Sequence, residues 1–170
     1  ELCNKSYRLS DRARLFEATV TPTILYGCTT WALTSSMENT LKVVRRRMLR
    51  YVFRVHRWKR EDEQEGWVDY IKRSAEKVDS LAAQLRMESW VSTQRRRKWR
   101  FAGKLAQKED QRWSKLILDW KPNLGHGRSQ GRPRTRWCDQ LADFAGDDWQ
   151  NVAADSALWR LLEDGFVLHL

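Results

Sequence analysis

The chain has 170 residues, with 32 Lys and Arg against 22 Asp and Glu, a formal net charge of +10 and ten Trp. This length supports one domain, or one with a small appendage, and supplies enough apolar material for a real core. No apolar run approaches the roughly 18 residues of a bilayer span, the N-terminus has no apolar signal core, and Cys3, Cys28 and Cys138 are scattered, which argues against a membrane partner, a disulfide framework and a zinc site.

Taken in order, Ser10 or Asp11 is placed to cap a first helix carrying Leu15, Phe16, Ala18 and Val20. Pro22 should end that helix near Thr21 or kink it. The next stretch, TPTILYGCTTWAL, reads either as a minor strand near Thr23–Trp31 or as a second helix starting at Pro22, the preferred reading. Ser35 and Glu38 then have the spacing of a capping box. They open a helical pattern through Arg60 in which Met37, Leu41, Val44, Met48, Val52 and Val55 fall within an arc of roughly 80°. Lys42, Arg46, Arg47, Arg50 and Arg54 fall on the opposite side.

A charged turn, KREDEQEG, leads to a long pattern of Trp67, Ile71, Ala75, Val78, Leu81 and Leu85 that continues through Trp90 and Val91 into QRRRKWR. A short amphipathic piece from Trp113 to Trp120 is stopped by Pro122. KPNLGHGRSQGRPRTR then reads as a linker. Trp137, Leu141, Ala142 and Phe144 form a helix with Gly146 as its stop. Asp155 caps a last helix of Leu158, Trp159 and Leu162, closed by Gly165. The expected fold is all-α: a thumb-like helical bundle over 1–120, a basic Gly/Pro-rich linker over 121–136, and a small Trp-rich helical extension over 137–170.

A net positive charge makes a polyanion the default partner. Three basic clusters carry the candidate nucleic-acid contacts: Arg46, Arg47, Arg50 and Arg54; Arg95, Arg96, Arg97, Lys98 and Arg100; and Arg132, Arg134 and Arg136. A charge run is ordinarily a solvated face, but Arg predominates over Lys here and aromatics interleave, as phosphate clamping and base stacking require. Trp58 or Trp99 could serve as a stacking platform. Most of the ten Trp are expected in the core: Trp67, Trp90, Trp113, Trp120, Trp137, Trp149 and Trp159 lie on apolar faces, and for any single Trp packing is the preferred reading. Gly131-Arg132-Pro133 suits either a narrow minor groove or a rigid turn.

The carboxylates Asp62, Glu63 and Glu65, Glu109 with Asp110, Asp139 with Asp143, and Asp147 with Asp148 stand at helix starts or turns, where they offset the helix dipole. No metal-holding constellation, P-loop or nucleophile elbow stands out. A cryptic nuclease using Asp139 and Asp143 is the remaining enzymatic reading.

Four blocks in order resemble the C-terminal region of non-LTR retrotransposon reverse transcriptases, of the RTE and Jockey-like, endonuclease-bearing kind. They are Thr21–Trp31; Arg45–Arg54; Lys98–Gly103 with Arg112-Trp113 and Asp119–Pro122; and Gly131–Asp139, followed by Trp149 and Trp159. The resemblance implies a thumb that grips template–primer beside the palm, with Arg46, Arg47, Arg50 and Arg54 along the duplex. It further implies an extension that holds element RNA or target DNA, in an intracellular setting (cytoplasmic ribonucleoprotein or nucleus). The polymerase palm and the endonuclease of that family have no counterpart in these 170 residues. No cofactor is expected in the chain itself; the magnesium of the parent polymerase would sit in an upstream palm. The sequence departs from the pattern at Thr29, Lys104 and Gln140, where the family often has an acidic residue, a His and a second acidic residue. These losses suit a drifted relic as well, a domesticated structural or protein-interaction module without nucleic-acid affinity. The lack of an initiator Met is expected of a fragment or a processed piece.

Overall fold

A computed structural model describes residues 2–57, 65–108 and 135–169, together with Trp113 and Leu116. Seven α-helices account for its longer elements: α1 (Leu9–Ile24), α2 (Ser35–Phe53), α3 (Trp67–Gln84), α4 (Trp90–Ala106), α5 (Asp139–Ala145), α6 (Trp149–Ala154) and α7 (Ser156–Leu168). There is no strand among the described residues, so the chain is all-α as expected. Most of the expected linker, Trp58 and Trp120 lie outside the described residues; Trp113 and Leu116 are helical and exposed.

Two compact units form. One comprises Glu1–Tyr26 with Ser35–Thr93, the other Gly27–Thr34 with Gln94–Leu170. The residues Gln94–Ala106 therefore group with the C-terminal Trp-rich segment, although the sequence pattern placed them in the 1–120 body.

In the first unit, α1 runs through Pro22 to Ile24 instead of ending before it. Pro22 lies in the last turn, so its missing N–H and ring disturb only the end of the helix. The β-branched stretch after it forms no second helix. Leu25 ends α1, Gly27 takes a left-handed φ of 64°, and Cys28–Thr30 make a single 3₁₀ turn. The helical pattern from Trp67 does not run unbroken into QRRRKWR either. Arg86 is left-handed at φ 54°, and the Ser89 hydroxyl accepts the Ser92 N–H at 3.0 Å, capping the start of α4.

The apolar stripe of α2 is rotated from the one read in the sequence. Its buried residues are Glu38, Arg45, Leu49, Val52 and Phe53, while Met37 is exposed. At about 100° per residue, the buried arc is turned roughly 80° toward the Arg side. Buried polar groups explain the turn. Arg45 donates to the Glu88 carbonyl at 3.0 Å and lies 3.9 Å from Glu17. Arg12 of α1 donates to the Val52 carbonyl at 2.6 Å. Burial lowers the Arg45 pKa and raises that of Glu17, as desolvation disfavours each charged form. Trp90 stacks on Phe16, centroids 6.0 Å apart, and donates its indole N–H to the Thr21 hydroxyl at 2.9 Å.

The second unit is built on tryptophan. Trp99, Ala102, Leu141, Trp149, Ala153, Trp159 and Phe166 form its core. Trp99 and Trp159 stack with centroids 3.5 Å apart, and each donates its indole N–H to the other's carbonyl, at 2.8 and 2.9 Å. The segment after Gly27 supplies backbone acceptors around this core: the carbonyls of Cys28, Thr29 and Leu33 receive Gln94, Trp137 and Gln140. Asp155 caps α7 as predicted, accepting the N–H groups of Ala157 and Leu158. Gly146 ends α5 at φ 87°, but Gly165 does not close α7, which continues to Leu168. A Cβ at Gly165 would stand 3.0 Å from the Phe144 ring, so its smallness serves packing.

Candidate nucleic-acid interface

The sequence-predicted cations divide sharply once placed. Arg46 makes a bidentate pair with Asp79, 3.1 Å from Nε to Oδ1 and 2.7 Å from Nη2 to Oδ2. Those hydrogen bonds are the first cause of its raised pKa. Arg50 donates to the Ser74 hydroxyl at 3.1 Å and lies over the Tyr70 ring at 5.9 Å. Both side chains, read as facing away from the core, thus hold α3 against α2. In the second unit Arg95 is buried and donates to the His169 carbonyl at 2.7 Å. Lys98 is buried too, donating to Gln140 at 2.8 Å and standing 5.4 Å from the Trp137 ring centre. Arg96 and Arg100 both grip Glu163, at 2.8 and 2.7 Å, and Arg96 also reaches Asp164 at 2.8 Å. Arg97 and Arg136 are exposed, Arg54 is half-buried at a left-handed φ of 59°, and Arg132 and Arg134 lie outside the described residues.

The Glu163 clamp has a pH signature. Hydrogen bonds from Arg100, and then from Arg96, hold its carboxyl below the ordinary range. A folded value below the unfolded one stabilises the fold fully above the unfolded value of about 4.3, and that stabilisation is lost as pH falls through the folded value. Thermal midpoints measured from neutral to acid pH should fall, and in Glu163→Gln that fall should be shallower; parallel curves would contradict the clamp.

Of the sequence-predicted cations in the first unit, Arg47 stands at an open groove. Beyond the end of α2 and along the first turns of α3, Arg47, Arg50, Tyr51, Val55, His56, Arg57, Trp67, Tyr70 and Ile71 line an open groove of about 530 Å³. No carboxylate is among these described residues. Tyr51 and Trp67 are 62% and 63% exposed, large figures for rings of this size. Among the described residues Arg47 is exposed and has no carboxylate partner.

The groove's wall is held by a dense set of bonds. Tyr70 donates its hydroxyl to the Val55 carbonyl at 3.2 Å. Arg73 pairs with Glu65 at 2.7 and 2.9 Å and donates to the His56 carbonyl at 3.0 Å. Arg57 donates through Nε to the Glu65 carbonyl at 2.7 Å, and through Nη2 to the same oxygen. Arg73 also lies 5.8 Å from the Tyr70 ring centre, and Trp67 leans on Tyr70 with centroids 5.6 Å apart. Glu65, beside the groove's Arg57 in this set of bonds, is thus paired with Arg73.

Trp67 and Trp113, both expected in the core, are exposed, whereas Trp99, weighed as a stacking platform, packs as most Trp are expected to. Trp99 is fully buried and stacked, so it cannot present a face to a base. For Trp67 the reason lies in register: Arg46 meets Asp79 and Arg50 meets Ser74, so the two helices run antiparallel. Trp67 then lies seven residues, about 10 Å, before Ser74, past the last residue of α2. It is on the apolar face of its helix, and among the described residues no helix faces it.

Among the described residues the carboxylates show no catalytic convergence; Asp62, Glu63, Glu109 and Asp110 lie outside them. Among the described residues, no cluster of three or more His, Cys, Asp or Glu could hold a metal ion. Asp139 accepts the Arg136 N–H at 2.6 Å at the start of α5, an ordinary helix-start role.

No family model matches the chain, and no solved structure matches it. It is similar to an uncharacterized transposon-derived protein of Caenorhabditis elegans, 22% identical over 157 residues, covering 87% of this chain and 52% of that protein. The chain thus spans about half the length of the curated relative it matches. The likeness points to a transposon-related origin.

Proposed function

We propose that the chain is a non-catalytic nucleic-acid-binding portion of a non-LTR retrotransposon reverse transcriptase, its thumb and C-terminal extension. It holds template–primer duplex, element RNA or target DNA through backbone contacts, beside a magnesium-using palm supplied from upstream. The observation that carries this reading is the Arg-lined groove at the end of α2 and the start of α3, with no carboxylate among its described lining residues, on a chain with a net charge of +10. Phosphate oxygens suit such a lining, since guanidinium groups give short, charge-assisted bonds to them. The likeness to a transposon-derived protein supports it.

A second reading, a relic acting as a protein-interaction module, is favoured by the number of predicted cations that are spent inside the fold: Arg46, Arg50, Arg95, Arg96, Lys98 and Arg100. One pair of variants separates the two. Arg47→Ala should weaken binding to a short RNA–DNA duplex roughly tenfold, the effect of losing one charge-assisted contact of ~1.5 kcal/mol. Arg46→Ala, whose guanidinium is committed to Asp79, should change it less than about twofold. Equal binding by wild type and Arg47→Ala would contradict the groove as the contact, and no binding by either would favour the interaction module.

A further inference from the structure

The groove differs from a plain phosphate clamp in holding exposed rings. We infer that it seats an unstacked base of single-stranded nucleic acid, with Trp67 as the platform, Tyr51 beside it, and Arg47 and Arg57 on the flanking phosphates. This rests on the nucleic-acid-binding reading above and narrows it to a strand end or an unpaired segment.

Three observations lead there. First, Trp67 and Tyr51 are more than half exposed in one groove, and leaving two large rings in water is costly unless something covers them. Second, Arg47, Arg50 and Arg57 line the groove, and no acid is among its described lining residues. An apolar protein partner would find those guanidinium groups expensive to bury, whereas a nucleotide brings both a flat ring and a phosphate. Third, the wall is pre-formed. Arg73, Tyr70 and Arg57 fix it through backbone carbonyls of Val55, His56 and Glu65, so little ordering is required on binding. A volume of about 530 Å³ lies within the roughly 300–1,000 Å³ of small-molecule sites. Paired bases in a duplex are stacked on their neighbours and cannot enter; only an unpaired base can.

The test uses the intact chain and two labelled oligonucleotides of one sequence, a blunt duplex and a single strand carrying a fluorescent adenine analogue at its centre. The strand should bind with quenching of the analogue. Trp67→Ala should weaken strand binding about tenfold, the loss of one base–aromatic stack, and abolish the quench. Its affinity for the blunt duplex should stay within about twofold, because phosphate contacts there do not depend on a ring. Trp67→Phe should retain part of the quench. Trp67 is exposed, so far-UV circular dichroism of both variants should match wild type. Unchanged strand binding and quenching in Trp67→Ala would overturn the base site while leaving the proposed function standing. Equal losses on strand and duplex would overturn it as well. Failure of both oligonucleotides to bind wild type at about 50 mM salt would overturn the proposed function itself.

Discussion

Trp99→Ala is expected to unfold the second compact unit or leave it barely folded. The side chain is fully buried and lies in the middle of an aromatic stack: Trp159 at 3.5 Å, Phe166 at 4.6 Å and Phe144 edge-on at 5.6 Å. Truncating a buried Trp costs about 3–5 kcal/mol. The paired indole bonds raise the cost here, since the donor to the Trp159 carbonyl goes with the ring. Whole domains are stable by only about 5–15 kcal/mol, so the loss takes a large share of what holds the unit together. Near-UV circular dichroism and urea unfolding should show weakened aromatic signal and an early transition. A midpoint within error of wild type would contradict the packing described here.

Gly103→Ala should destabilise the same unit, against the direction of helix propensity. In the interior of an exposed helix this change gains up to about 1 kcal/mol. At position 103 the added Cβ would stand 2.6 Å from both Cδ1 and Nε1 of Trp159. Nothing flexible can yield, because that ring is stacked on Trp99 and its Nε1 donates to the Trp99 carbonyl at 2.9 Å. Either α4 and α7 separate or the stack is broken, and overpacking of this kind costs about 1–3 kcal/mol. The expected net result is a lower urea midpoint than wild type; a higher one would mean that propensity had won and that the close approach is absent.

These two positions also show what the sequence could disclose. The pattern through Lys98–Gly103, the segment ending at Trp31, and Asp139, Trp149 and Trp159 were legible as ordered blocks, and the residues within them turn out to pack together. Gly103 touches Trp159, Trp137 reaches the Thr29 carbonyl, and Gln140 bridges Lys98 and the Leu33 carbonyl. Their spacing therefore reflects a tryptophan core more than a set of contacts to a ligand. Helix type, the start of α2 at Ser35 and the Asp155 cap were legible too, because periodicity and capping are local.

What could not be read is which cations are spent internally. Arg46 and Arg47 are adjacent and chemically identical in the sequence. Only the antiparallel placing of α3 commits the first to Asp79 and leaves the second in the groove. The exposure of Trp67 escaped for the same reason, as its apolar face continues past the end of its neighbour. Periodicity reports a face and not what lies opposite it.

The central claim is that the surface around Arg47 holds a nucleic-acid backbone. Fluorescence-anisotropy titration of the intact chain with a labelled RNA–DNA duplex, repeated from about 50 to 200 mM salt, tests it most directly. Measurable affinity is expected at the low end, with a linear fall of log affinity with log salt and a slope reduced by about 0.9, one phosphate contact on duplex, in Arg47→Ala. No binding at about 50 mM salt, or affinity indifferent to salt, would contradict it.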